Sequence, residues 1–119
     1  MTAQELVSAY YASWTGGAEA FDEDQLRTIL APDLVFDGPL AGHRVGADYF
    51  IQGVHNVAKA VKDFRVVQRL DQSEEVSVLY ECDMTRPEGT HRFAEFFRIQ
   101  DGRIQGINLL YDGTEWRKL

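Results

Sequence analysis

The chain has one cysteine, three prolines and two methionines among its 119 residues, and 12 Lys and Arg stand against 19 Asp and Glu, a net charge of −7. Each shortage excludes something. A single thiol, Cys82, cannot close an internal disulfide, and no Cys/His spacing resembles a zinc site. With few bases and no basic cluster, a nucleic-acid backbone is not an expected partner. No apolar run is long enough to span a bilayer, and Met1–Ser8 carries no signal-peptide pattern. The expectation is a cytoplasmic protein without a membrane partner. Repeats, low-complexity stretches and an interdomain linker are missing too. What is present is an ordinary apolar content of 45%, enough for one core in a single domain over residues 1–119.

The pattern puts helices first. Thr2 reads as an N-cap, with Glu5 completing a capping box. Leu6, Val7, Tyr10, Tyr11 and Trp14 then recur at helical spacing, up to Gly16-Gly17. Asp22 caps a second helix with the stripe Leu26, Ile29 and Leu30, which Pro32 stops. Leu34-Val35-Phe36 reads as a short strand broken at Gly38-Pro39. A loop through Gly42 and Gly46 leads to a third helix, Ala47 to Ala60, with Phe50, Val54, Val57, Ala58 and Val61 as its apolar stripe. Four strands follow: Phe64–Leu70, Val76–Met84, His91–Ile99 and Ile104–Tyr111. Short turns join them, so they should form an antiparallel meander. The class is α+β: three N-terminal helices on a curved, mostly antiparallel sheet, leaving a cone-shaped space between the layers.

Period-2 alternation sorts the strand faces. Val76, Val78, Tyr80, Cys82 and Met84 share one face; His91, Phe93, Glu95, Phe97 and Ile99 share another. In the last strand Gln105, Ile107, Leu109 and Tyr111 go together. The more apolar sets should point inward and take Glu95 and His91 with them. A carboxylate on a buried face is costly unless paired, protonated or used. Glu95 therefore marks a pocket, or else a structural network in which it pairs with His91 or accepts a tyrosine hydroxyl. On the outer face Leu79, Phe96, Leu110 and Ile99 or its neighbours would stay partly exposed, which suggests a partner.

The element order resembles the nuclear transport factor 2-like superfamily, a cystatin-like α+β roll that includes SnoaL-like polyketide cyclases, ketosteroid isomerases and limonene epoxide hydrolases. The resemblance rests on Tyr10-Tyr11-Ala12-Ser13-Trp14, on Leu30-Ala31-Pro32-Asp33-Leu34-Val35-Phe36 and on Phe96-Phe97-Arg98-Ile99-Gln100-Asp101-Gly102-Arg103-Ile104, and covers nearly the whole chain. It implies an oxyanion-holding pair, a tyrosine on the first helix and a protonated acid on a late strand, at Tyr10 and Glu95. The isomerases' general base would fall at Gly38; the nearest carboxylate is Asp37, one residue early and facing the other way unless a bulge at Gly38-Pro39 restores it. The hydrolases' arginine and second aspartate would fall at Glu81 and Leu109, with only Asp83 retained, so that activity is not expected. The resemblance also implies homodimerisation through the sheet.

Two functions remain open at this point. One is a cofactor-independent isomerase or cyclase for a small hydrophobic carbonyl compound. Tyr10 and Glu95 would stabilise an enolate oxygen, Asp37 or His91 would move the proton, and no metal would be needed. The other is a non-catalytic binding domain or dimeric scaffold. In either case Trp14, Phe36, Phe50, Val54 and Tyr80 are expected walls, with Cys82, Phe93, Phe97, Leu109 and Tyr111. His43 and Arg44 are placed at the mouth as a possible lid, and His55 in solvent.

Overall fold

The computed structural model describes residues 1–119. Helix α1, Ala3–Trp14, starts at Thr2, whose side chain accepts from the Glu5 amide while the Glu5 carboxylate accepts from the Thr2 amide. Its buried stripe is Ala3, Leu6, Val7, Tyr10, Tyr11 and Trp14, joined by Ser13. A 3-10 turn, Ala18–Ala20, leads to α2, Glu23–Ile29, capped by Asp22. Two strands follow, β1 Leu30–Gly38 and β2 Gly42–Val45, and then α3, Ala47–Ala58. The meander comprises β3 Val61–Asp71, β4 Glu75–Thr85, β5 Glu88–Gln100 and β6 Arg103–Leu110; a last short helix, α4, spans Thr114–Arg117.

The six strands form one mixed sheet in the order β2-β1-β6-β5-β4-β3. All pairings are antiparallel except β1 with β6. Register shifts within β3–β4, β5–β6 and β1–β6 mark bulges, which add twist and bend the sheet. At the β5–β6 turn both Asp101 and Gly102 have positive φ, 53° and 74°, matching the twist of the flanking strands. The α+β class and the curved sheet are as expected. The burial of β4 alternates along its whole length, with Val76, Val78, Tyr80, Cys82 and Met84 inside. No helix is long and apolar enough to cross a membrane.

Several expectations need correction. The three N-terminal helices are present, and a fourth, α4, follows the sheet. Residues Gly42–Val45 are not loop: they pair with β1, Asp37 opposite His43 and Gly38 opposite Gly42. Pro32 does not simply end α2. Its preceding residue must be extended, so β1 already begins at Leu30, and Pro32 sits where the β1–β6 register shifts and no ladder amide is needed. Ile99 follows its alternation with Glu95 and Phe97: it is buried, at 8% exposure, beside the β5–β6 bulge, and takes no part in the outer apolar face. Phe96 and Leu110 do remain outside, 43% and 61% exposed.

The Thr2 hydroxyl satisfies the Glu5 amide in the first turn of α1, the helix that carries Tyr10 and Tyr11. Replacing it, Thr2→Ala, should cost about 1 kcal/mol. Urea denaturation would measure this as a lower midpoint with an unchanged slope.

Candidate functional site

Between α1, α3 and the concave sheet lies a cavity of about 490 Å³. Of its 20 lining residues 15 are hydrophobic, the mix that suits a small apolar ligand with a few fixed polar contacts. At its closed end stands Glu95, only 1% exposed. Its neighbours across the ladder are Val78 on β4 and Leu109 on β6, so nothing charged lies beside it in the sheet.

What holds the carboxyl comes from α1. Adjacent helix positions point about 100° apart, so Tyr10 and Tyr11 straddle Glu95 from above. The Tyr11 hydroxyl donates to Oε1 at 2.7 Å and the Tyr10 hydroxyl to Oε2 at 3.3 Å. The phenol rings are 5.0 Å apart, edge to face. Tyr10 and Glu95 line the cavity and Tyr11 does not. Tyr11 therefore grips one carboxyl oxygen from behind, while the longer bond leaves Oε2 the oxygen open to exchange with a ligand. Burial pushes the Glu95 carboxyl up to about 7; Tyr11, Tyr10 and Tyr80 pull the other way. Tyr80 helps without a hydrogen bond of good geometry. Burial also raises Tyr10 well above the ordinary phenol value, and the Glu95 charge adds to this.

Trp14 lies one turn beyond Tyr10, and its buried indole N–H has no hydrogen-bond partner. It faces the Tyr10 hydroxyl closely enough to offset part of that residue's upward shift, yet it falls short of bonding geometry. Such an orphan donor costs about 1–3 kcal/mol.

The expected walls are largely assembled. Phe36 packs on Phe50 at 4.9 Å, and Tyr80 stacks on Phe93 at 5.0 Å. Val54, Cys82, Leu109 and Tyr111 also line the space, and burial lifts the Cys82 thiol to about 12. Phe97 is a correction: it lies beneath the floor, against Tyr10 and Tyr11, and does not reach the cavity.

Neither expected proton carrier enters the cavity. Asp37 points away from it, and its Oδ1 is 2.8 Å from His43 Nδ1 on the neighbouring strand. No bulge turns it inward, because the β1 register shift falls earlier, between Leu30 and Val35; alternation then gives the cavity to Phe36. His91 does not pair with Glu95 either. Its Nε2–H donates to the Pro87 carbonyl at 2.8 Å, and its ring packs on Trp116 at 4.5 Å. His43 and Arg44 form strand β2 rather than a lid, and Arg44 lies over the Tyr49 ring. His55 is half-buried and stacks on Phe21. No three His, Cys, Asp or Glu side chains converge as a metal site would need.

Two participants escaped the sequence reading. Tyr11 had no site role of its own there, although its tandem with Tyr10 was a visible signal. Trp116 on α4 closes the cavity over Phe93 and Tyr111. The Asp112 carboxylate accepts from the amide and hydroxyl of Thr114, a local turn that leads into that helix, whose N-cap is Gly113.

The comparisons agree with this architecture. A family model described as a SnoaL-like domain matches residues 7–107. Curated proteins gave no match. A crystal structure from Kribbella flavida DSM 17836 is 24% identical, with TM-score 0.86, covering 98% of this chain and 92% of that one. One from Silicibacter pomeroyi DSS-3, described as cystatin-like in fold, is 14% identical, with TM-score 0.78 and coverage of 99% and 84%. A third, from Jannaschia sp. CCS1, has the provisional description SnoaL-like polyketide cyclase; it is 13% identical, with TM-score 0.73 and coverage of 97% and 90%. At such identities the structures speak for the fold alone.

The state of Glu95 has a stability signature. At low pH its carboxyl is neutral in both folded and unfolded chains. As pH rises from 4.5, the ordinary value, to about 7, the unfolded chain ionises first, so this group's contribution to stability falls. The gap corresponds to about 3 kcal/mol. Subtracting the Glu95→Gln stability–pH curve from the wild-type curve should isolate that decline between pH 4.5 and 7, and a flat difference would contradict the raised value.

Proposed function

This chain belongs to the SnoaL-like domain family, and we propose that it is a cofactor-independent isomerase or cyclase acting on a hydrophobic carbonyl compound, with Glu95 as its proton carrier. The carrying observation is the pairing of Tyr10 and Glu95 at 3.3 Å at the closed end of an apolar cavity. Glu95 is the one carboxyl among the lining residues. The two roles first divided between an oxyanion pair and a separate base therefore fall to Tyr10 and Glu95 alone.

In this reading the ligand's carbonyl oxygen takes the Tyr10 hydroxyl bond from Glu95 Oε2. The Glu95 carboxylate removes a proton from the adjacent carbon, and the electron pair moves onto the oxygen as an enolate held by Tyr10. The proton then returns from Glu95 to a different carbon, which is isomerisation, or the enolate carbon attacks a second carbonyl and the alkoxide so formed takes the proton back from Glu95, which is cyclisation. A carboxyl near pH 7 suits both removal and return. The same walls would serve the other reading, an apolar-ligand binding domain, which the lack of a second carboxylate in the cavity favours. A second copy of the chain across the outer sheet face, where Phe96 and Leu110 are bare, is part of the proposal; sedimentation giving only monomer at micromolar concentration would remove it.

The test is the dissociation constant of equilenin, a fluorescent phenol that mimics a dienolate. Tyr10→Phe should weaken it by about tenfold, the worth of one buried hydrogen bond, and Glu95→Gln should abolish its pH dependence near 7. Deuterium exchange of 2-tetralone in D2O, followed by NMR, separates the two readings. Exchange accelerated by wild type and lost in Glu95→Gln supports the enzyme, whereas tight equilenin binding without exchange supports the binding domain. Equilenin binding indifferent to both substitutions overturns the site.

A further inference from the structure

Resting on the carbonyl-pocket reading, we infer that Gln52, Gly53 and Asn56 on α3 form a second subsite, which receives the far end of an elongated, uncharged ligand whose first oxygen takes the Tyr10 hydroxyl bond beside Glu95. Burial gives the cavity a direction. Glu95 and Tyr10 are 1% and 3% exposed, while Gln52, Gly53 and Asn56 line the same cavity and are exposed. A ligand anchored at the closed end and filling about 490 Å³ must extend toward α3.

The glycine is the telling residue. Helix α3 buries Ala47, Phe50, Ile51, Val54 and Ala58. At about 100° per residue, Gly53 and Val57 fall on the flank beside that face, toward the cavity. Glycine in mid-helix is unfavourable relative to alanine. Here no positive φ requires it, and a Cβ at Gly53 would meet nothing within 4 Å. Neither backbone conformation nor packing within the chain accounts for it. A rigid ligand lying directly against the helix backbone does.

The neighbours define the ligand class. Gln52 and Asn56 lie one turn apart beside the bare stretch and offer neutral donors and acceptors. No Lys, Arg or His lines the cavity, and the chain carries −7, so a carboxylate or phosphate end would find no counter-charge. The chemistry selects a flat apolar body with a ketone or phenol oxygen at one end and a hydroxyl or carbonyl at the other.

Two phenols of different length test this: 2-naphthol, which reaches only the closed end, and equilenin, which carries a ketone at its far end. Each is titrated into wild type, Gly53→Leu and Asn56→Leu, with thermal melts alongside. Gly53→Leu should weaken equilenin at least about tenfold more than it weakens 2-naphthol, with a melting temperature no lower than wild type, since leucine favours helix. Asn56→Leu should weaken equilenin selectively as well. If both phenols bind wild type but Gly53→Leu weakens them equally, or neither, the subsite is overturned while the Tyr10–Glu95 reading stands. If neither phenol binds wild type, both fall together.

Discussion

The whole site depends on keeping one carboxyl dry. Glu95 sits between Val78 and Leu109 in the middle of the sheet, where water cannot solvate its charge and no base lies within reach. Such a group survives only if it is held neutral or fully hydrogen-bonded. The chain uses some of each remedy: burial raises the carboxyl toward neutrality, and two tyrosine hydroxyls keep ionisation accessible. A carboxyl balanced in this way can exchange a proton near neutral pH, which one left in solvent or paired to arginine does not do.

The geometry that keeps Glu95 dry also makes the cavity. A flat sheet would let α1 and α3 settle on it and fill the gap. The bulged sheet curves instead, and only its deeper half meets α1 closely, where the tyrosines, Trp14 and Phe97 pack edge to face. Toward α3 and α4 the layers diverge and the space stays open, with Trp116 over the far wall. The unpartnered Trp14 N–H belongs to the same arrangement: the aromatic packing fixes the ring and leaves its donor just short of the Tyr10 hydroxyl.

This arrangement departs from a two-carboxylate isomerase in a definite way. The strand that would present a base turns Phe36 to the cavity and commits Asp37 to His43 outside. The cavity therefore holds a single carboxyl, Glu95, and the proposed reaction assigns both removal and return of the proton to it. In the proposed reading the apolar walls set the ligand's character, and the Tyr10–Glu95 pair sets where its oxygen sits.

Much of this was written in local pattern. Capping residues, helical stripes and strand alternation determine the class and the order of most elements. They also place Glu95 on an inner face among phenylalanines, because alternation is a property of the strand itself. The inward set of β4 follows from the same rule. Other features depend on neighbours that lie far apart in the chain. Whether Asp37 faces in depended on where β1 slips against β6, and a register shift is a property of two strands. That His91 would turn to Pro87 and Trp116 rather than Glu95 depended on a C-terminal helix of four residues, too short to show periodicity. Tyr11 gained its role only when α1 docked at the angle that sets both phenols over one carboxyl. The sequence by itself determined which faces of its regular helices and strands turn inward; only the tertiary structure decided which residues on them meet, because a face is read from one element's period and contact from the packing of two.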